Sequence, residues 1–451
     1  MSSQNPQTDS PLRHLPVELF KKVTAHLTTK DFCALRSTCK LVEYRTNNIF
    51  ASAFFRQKQF MVTTPSLTAL NDISQHPVFS QSLRRFCLGT NSYASTRHIP
   101  ETEDQRRAWE EGSADQGVLI NTGLWRGMLV DAFRTLPNLK VLDLRDFNSE
   151  TRYRDGRGAL WRSCGEVTVF EKTDTYLNMV NRHDSRSDIL YQNLILAAAE
   201  AGLEPVTLEI ILKTSGLTSL GIRPIAPMLP VLRGLSTVHI DINGDAFGGK
   251  LYGLMAFLTS IPQVTWLRLN LKFVGASQDI VEWMAAPCVA SADGDEDDNS
   301  ALALAPANRD IPPPAFAHLS RLELGWFCTK PAALEALLDK LSPTLTSLTL
   351  WRMALENDVP GSKANLWAQF LERRSASNSI LKDVTLGSLT QREHGDHRTL
   401  EVSLGGTNKI RVRNYRAPDP GQDDEWIKLA KRITVVRPPA YGERIVGFSQ
   451  R

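Results

Sequence analysis

Gly244, Gly249 and Lys250 stand at the spacing GxxxxGK, in which backbone N–H groups of a glycine-rich loop cradle phosphates and the lysine reaches their outer oxygens. A strand expected over Thr237 to Ile242 precedes them and a helix-like run follows, the setting such a loop needs. The position that should offer a hydroxyl to magnesium is Leu251, so the glycines read better as a turn between strand and helix. A P-loop-like nucleotide-binding enzyme would rest on these residues alone. His394 and His397, flanked by Glu393 and Asp396, are of metal-binding type, but the stretch QREHGDHRT is as polar as a solvated loop and no third ligand is spaced to join them. Cys33, Cys39, Cys87, Cys164, Cys288 and Cys328 form no CxxC pair, which fits neither a disulfide framework nor a zinc module and gives no sign of an activated thiol. No GxSxG nucleophile elbow occurs. The expectation is a protein with no catalytic residue, metal or cofactor of its own.

Residues with a better claim to function are placed by a repeat. The pattern LxxLxL, with aliphatic or aromatic substitutes, occurs nine times, beginning at Leu83, Leu139, Leu203, Leu217, Leu235, Val264, Leu319, Leu345 and Leu381. Its last two positions alternate like a short strand with one buried face. Helix-like segments lie between the units, as at Asp188 to Ala201, Leu251 to Ser260 and Ala332 to Leu341. A strand followed by a helix that returns the chain to a parallel neighbour is the leucine-rich-repeat unit. If the spaced leucines point inward, the residues between and beside them point outward onto the sheet face. That selects Asp143, Arg145, His239, Asp241, Trp266, Arg268, Asn270, Arg321, Glu323, Thr349 and Trp351 as candidates to hold a partner protein. Tryptophan and arginine among them are the types in which interfaces concentrate binding energy.

The N-terminal stretch is organised differently. Leu15, Leu19, Val23 and Leu27 make an apolar stripe on a helix that Pro16 can open. Thr28 with Asp31 has the form of a capping box and introduces a second helix carrying Phe32, Leu35 and Cys39. A third helix from Leu41 adds Val42, Tyr44, Ile49, Phe50 and Phe54, more apolar surface than a segment of this length can hide. A partner should cover the excess.

With 451 residues, 42% hydrophobic and 22% charged, the chain is long enough for two or three domains or one repeat array. A net charge of +3 is too balanced for a dedicated nucleic-acid binder. The sequence shows neither a secretory signal pattern nor an apolar run of membrane-span length, so a cytoplasmic or nuclear protein is expected, binding neither membrane nor nucleic acid.

The run LPVELFKKVTAHLTTKDFCALRSTCKLVE resembles the F-box of fungal F-box proteins, and FFRQKQFMVTTPSLTALNDISQHPVFSQSLRRFCLGT is similar to the segment joining that module to a degenerate leucine-rich array. Beyond these residues the resemblance is one of rhythm. It implies a mixed α/β fold in which a three-helix F-box precedes an irregular leucine-rich-repeat solenoid. It also implies the substrate-recognition subunit of a Skp–cullin–F-box ubiquitin ligase, with a Skp-type adaptor as direct partner, the cullin–RING scaffold as indirect partner and an unknown protein as substrate. Adaptor docking carries over to Leu15, Pro16, Leu19, Val23, Leu27, Leu35 and Cys39. An interaction scaffold without a role in degradation is the alternative. The expected organisation is a disordered N-terminus over 1–11, the F-box over 12–56, a helical linker over 57–82, the solenoid over 83–414 and a tail over 415–451. Polar insertions fall at 91–130 and 148–187, and a disordered acidic loop at 291–314. The second helix carries fewer leucines than many F-boxes, and the repeats lack the asparagine that turns regular leucine-rich units.

Overall fold

The computed structural model describes residues 15–94, 100–148, 153–156, 159–179, 186–214, 217, 225–243, 252–272, 277–288, 311–375, 380–394, 399–407, 409–412 and 424–436. The residues form a mixed α/β protein with parallel strands and divide into two compact units, Met1–Pro205 and Val206–Arg451. The stretch 1–11, the Gly244–Lys250 motif with Leu251, Asp396 and His397, most of the acidic loop, and Leu220 and Ile222 of the fourth LxxLxL unit lie outside the described residues.

In the first unit, α1 (Val17–Ala25), α2 (Thr29–Ser37) and α3 (Lys40–Phe54) follow one another. The capping box over Thr28 and Asp31 forms in altered shape. Thr28 Oγ1 accepts the Asp31 N–H at 3.1 Å and donates to Asp31 Oδ2 at 2.6 Å. Asp155, far along the chain, accepts from the Thr29 N–H and hydroxyl at 2.6 and 2.7 Å, placing a carboxylate at the positive end of α2. Thr28→Ala should lower the local stability of α2 by about 1 kcal/mol, read as faster hydrogen exchange at Asp31 and Phe32. Arg36 ties α2 to α3, donating to Thr46 Oγ1 at 3.2 Å and Asn47 Oδ1 at 2.8 Å and lying 4.1 Å above the Phe50 ring. The helices share Phe32, which is fully buried against Phe50 and Phe54.

Next come β1 (Gln57–Phe60), α4 (Thr64–Gln75), α5 (Phe79–Ser82), β2 (Arg85–Gly89) and β3 (Asn91–Ser92). They are followed by α6 (Glu103–Thr122), α7 (Leu124–Arg134), β4 (Val141–Arg145), α8 (Glu166–Thr173), β5 (Asn178–Met179) and α9 (Arg186–Glu200). Strands β1, β2 and β4 pair in parallel with Gln57, Arg85 and Val141 in register. The expected linker over 57–82 is thus not wholly helical: QKQF, with no leucine to mark it, is a strand. The expected insertion over 91–130 is likewise corrected. Gly123, at φ +70°, turns α6 into α7, and α7 buries Trp125, Leu129, Val130 and Phe133. A segment polar on average still delivers one apolar helix face to the core, because periodicity rather than mean hydropathy decides burial.

In the second unit, β6 (Thr207–Leu212), β7 (Thr237–Asn243), β8 (Trp266–Lys272), β9 (Arg321–Gly325), β11 (Ser347–Trp351) and β13 (Asp383–Gly387) run parallel in that order. Helices α10 (Leu229–Arg233), α11 (Tyr252–Thr259), α12 (Ser277–Ala285), α13 (Pro331–Leu341) and α14 (Leu366–Ser375) lie between strands in sequence. Lys340 of α13 donates to the Met284 and Ala286 carbonyls at 2.9 and 2.7 Å, capping the end of α12. A second sheet takes the short parallel strands β10 (Cys328–Thr329), β12 (Ala354–Glu356) and β14 (Thr390–Arg392). Trp326, Arg352 and Ser388, each the residue after a long strand, adopt φ of +68°, +52° and +49°, and this left-handed corner redirects the chain into the second sheet.

The parallel series ends before residue 414. Strand β16 (Lys409–Val412) pairs antiparallel with β13, while β15 (Thr399–Leu404) pairs antiparallel with β14 and β17 (Ile433–Val436). The expected tail therefore contributes β17 and the helix α15 (Glu425–Ala430), which buries Trp426 and Leu429. No helix among the described residues is long and apolar enough to cross a membrane.

All three patterned positions are buried in the units beginning at Leu83, Leu139, Leu235, Val264, Leu319, Leu345 and Leu381. The unit read from Leu203 is out of frame, since Val206 is exposed while Leu208, Ile210 and Leu212 are buried. The strand frame is Pro205, Leu208, Ile210, a proline holding the place of the first leucine.

Candidate functional site

Helix α1 is apolar on two sides. Phe20 and Thr24 face the core, and the buried Thr24 hydroxyl is satisfied by the Phe20 carbonyl at 2.8 Å. The stripe foreseen from the sequence lies on the other side: Leu19 and Val23 are each 42% exposed, with Leu15 and Leu27 half-buried and Pro16 exposed. Val17 is exposed as well, as are Leu41 and Tyr44 at the start of α3, Tyr44 at 77%. Leu35 and Cys39 are half-buried. A short helical segment thus presents five large, uncovered apolar side chains to solvent, where scattered single ones are the norm.

The second candidate is the polar face of the long sheet in the second unit. Register brings Trp266 level with Arg321, Arg268 level with His239 and Glu323, and Asn270 level with Asp241. Glu323 is the hub, 2.6 Å from Arg321 Nη2 and 3.8 Å from Arg268 Nε, and it accepts from Trp266 Nε1 at 3.1 Å. The Arg321 guanidinium lies 3.9 Å above the Trp266 ring, whose other neighbour is the His239 imidazole, edge-on at 4.4 Å. His239 is 3.5 Å from Glu209, while Asp241 accepts from Asn270 at 3.1 Å and pairs with Lys272 at 3.2 Å. These contacts fix rotamers in advance and leave the Arg268 and Arg321 guanidinium groups partly open to solvent. Trp351 and Thr349 are half-buried on the same face. The Trp351 ring crosses Gly387 on the neighbouring strand, where an added Cβ would fall 2.1 Å from Cζ3. Gly387→Ala should therefore displace the ring and cost about 1 to 3 kcal/mol, measured by denaturant unfolding.

Two expected outward residues do not present themselves. Asp143 is fully buried between Arg85 at 3.2 Å and Arg145 at 2.6 Å, which leaves it no free oxygen face for a partner. Asn270 is buried too, its side chain filling the space above Gly325.

Sequence reading missed a cavity in the first unit, of about 650 Å³, on the polar side of β1 and β2. Arg56, Lys58, Arg84, Arg85, Lys140 and Arg162 line it together with Trp161. Gln59, which also lines it, belongs to a buried chain of hydrogen bonds. Gln59 Nε2 donates to Ser163 Oγ at 3.0 Å, and that hydroxyl donates to Asn91 Oδ1 at 2.7 Å. Gly89 makes room for the group: a Cβ there would meet all three side chains within 2.9 Å. Burial pushes the Cys164 thiol and the Glu166 carboxyl upward, despite the Arg162 guanidinium beside the latter. Burial pushes the Cys328 thiol up as well, the opposite of nucleophile activation. Among the described residues no group of three or more His, Cys, Asp or Glu is arranged to hold a metal ion.

No family model matches the chain. No curated protein matches it either.

Proposed function

We propose that the protein is the substrate-recognition subunit of a Skp–cullin–F-box type ubiquitin ligase acting in the cytoplasm or nucleus. In this reading residues 12–56 are the F-box, and the strand–helix units form an irregular leucine-rich array. The observation that carries the reading is the uncovered apolar face of α1 and α3. Leu19 and Val23, four residues apart, stay exposed although Phe20 and Phe32 are available to make the internal core. An amphipathic helix with i, i+4 anchors left open is suited to docking on a helical partner.

The chain would supply binding geometry and no reacting group. A substrate held on the polar sheet face by Trp266, Arg268 and Arg321 is kept near a ubiquitin-charged enzyme carried by the adaptor and scaffold, which raises its effective concentration. Co-expression of the full chain with a Skp-type adaptor and a cullin tests the reading. A stable complex that elutes together is expected, along with captured partners that accumulate when the proteasome is inhibited. Failure to form the adaptor complex would sink the F-box reading. Adaptor binding with partner levels unchanged by inhibition would leave the scaffold reading. Trp266→Ala with Arg268→Ala should alter the set of captured partners and leave adaptor binding intact.

A further inference from the structure

Within each unit the residues just before neighbouring parallel strands form a row, in which the backbone N–H of one donates to the carbonyl of the one before it. In the second unit that row is Val206, Ser236, Thr265, Ser320 and Thr346, then Lys382, linked by N–H to carbonyl bonds of 2.8 to 3.0 Å. The hydroxyls of Ser236, Thr265, Ser320 and Thr346 each donate to the preceding carbonyl, so the row is satisfied and nearly uncharged. In the first unit the corresponding row reads Arg56, Arg84, Lys140. The Arg84 N–H donates to the Arg56 carbonyl and the Lys140 N–H to the Arg84 carbonyl, each at 3.0 Å. Three cationic residues thus precede adjacent strands whose backbones lie about 4.8 Å apart, and their exposed side chains gather like charge on one edge of the sheet.

Nothing among the described residues neutralises that row. The cavity's described lining includes no carboxylate. Arg85 shares Asp143 and Arg162 shares Glu166. Lys140 Nζ reaches only the Glu204 carbonyl, at 3.5 Å, and Lys58 lies 5.5 Å from the Phe55 ring. Arg56 and Arg84 have no acidic partner among the described residues. The row opens into the cavity of about 650 Å³, whose size is that of a small-ligand site.

We infer that this cavity binds a ligand bearing phosphate groups. Arginine forks match phosphate oxygens with two parallel hydrogen bonds, and a group carrying more than one negative charge can engage Arg56, Arg84 and Lys140 together. The phosphate comes either from a small soluble polyphosphorylated compound or from a phosphorylated protein segment. The site stands on charge and geometry in the first unit and does not depend on the receptor reading.

Titration calorimetry of the full chain with tripolyphosphate, and separately with a doubly phosphorylated serine peptide, tests the inference at physiological salt. At least one probe binds, and the one that binds more tightly identifies the source. Arg84→Gln with Lys140→Gln weakens that probe by at least about tenfold, since two charge-assisted hydrogen bonds are lost. The charge-matched surface pair Arg107→Gln with Arg134→Gln leaves it unchanged. The cavity variant should also melt no lower than the parent without ligand, because removing unpaired like charges relieves repulsion; a merely structural role would lower its melting temperature. Arg56→Gln with Lys58→Gln provides a second cavity variant with the same expected loss. No binding of either probe, or equal loss in the surface pair, overturns the site.

Discussion

On the proposed reading, Leu19→Asp combined with Val23→Asp should abolish recovery of a Skp-type adaptor with the full chain while leaving its melting curve unchanged. Both side chains are 42% exposed, so the carboxylates stay hydrated in the free protein and cost the fold little. In a complex they would sit where apolar anchors must be desolvated. Large apolar groups contribute about 2 to 5 kcal/mol each when buried, and an unpaired buried charge adds a further penalty. Together these effects exceed a hundredfold in affinity by about 1.4 kcal/mol per factor of ten. Phe20→Ala is the contrasting change: it empties a fully buried site and should lower stability first and adaptor binding only as a consequence. If the double aspartate variant still elutes with the adaptor, the α1 face is not the docking surface.

The second large effect is on stability. Asp143→Ala should destabilise the first unit by about 3 to 5 kcal/mol, because breaking a buried ion pair leaves uncompensated charge behind. Here the charge left is double: Arg85 and Arg145 would face one another across the vacated site, both largely shielded from water. Asp143→Asn keeps the shape and one acceptor oxygen and should cost less than the alanine change. Urea denaturation followed by tryptophan fluorescence measures both. A loss below about 1 kcal/mol in the alanine variant would show that solvent, and not Asp143, balances the two arginines.

Much of the strand array was legible because its code is local. Leu322 and Leu324 point inward and Arg321 and Glu323 outward by the two-residue period of a strand, and the structure places them so. The misreading at Leu203 has a cause of the same kind. A leucine stood two residues ahead of the frame that Pro205 occupies, and the pattern alone could not weigh a proline as a repeat position. The second sheet was not legible, since Cys328–Thr329 and Ala354–Glu356 are too short to show a period and depend on the left-handed corners at Trp326 and Arg352.

The sequence by itself determined which side chains of most long strands are apolar partners of the core, where α1 and α2 begin, and that α1 carries a stripe at helical spacing. These follow from periods of two and 3.6 residues and from capping groups a few positions away, all set within one turn or one strand. Tertiary structure decided what meets across elements. It turned Phe20 inward and left Leu19 and Val23 uncovered, because an amphipathic period marks a face as apolar without saying what lies against it. It also turned Asp143 from an outward contact into the centre of an ion-pair group, and set Arg56, Arg84 and Lys140 side by side, because the register of parallel strands joins residues far apart in the chain that no local period connects.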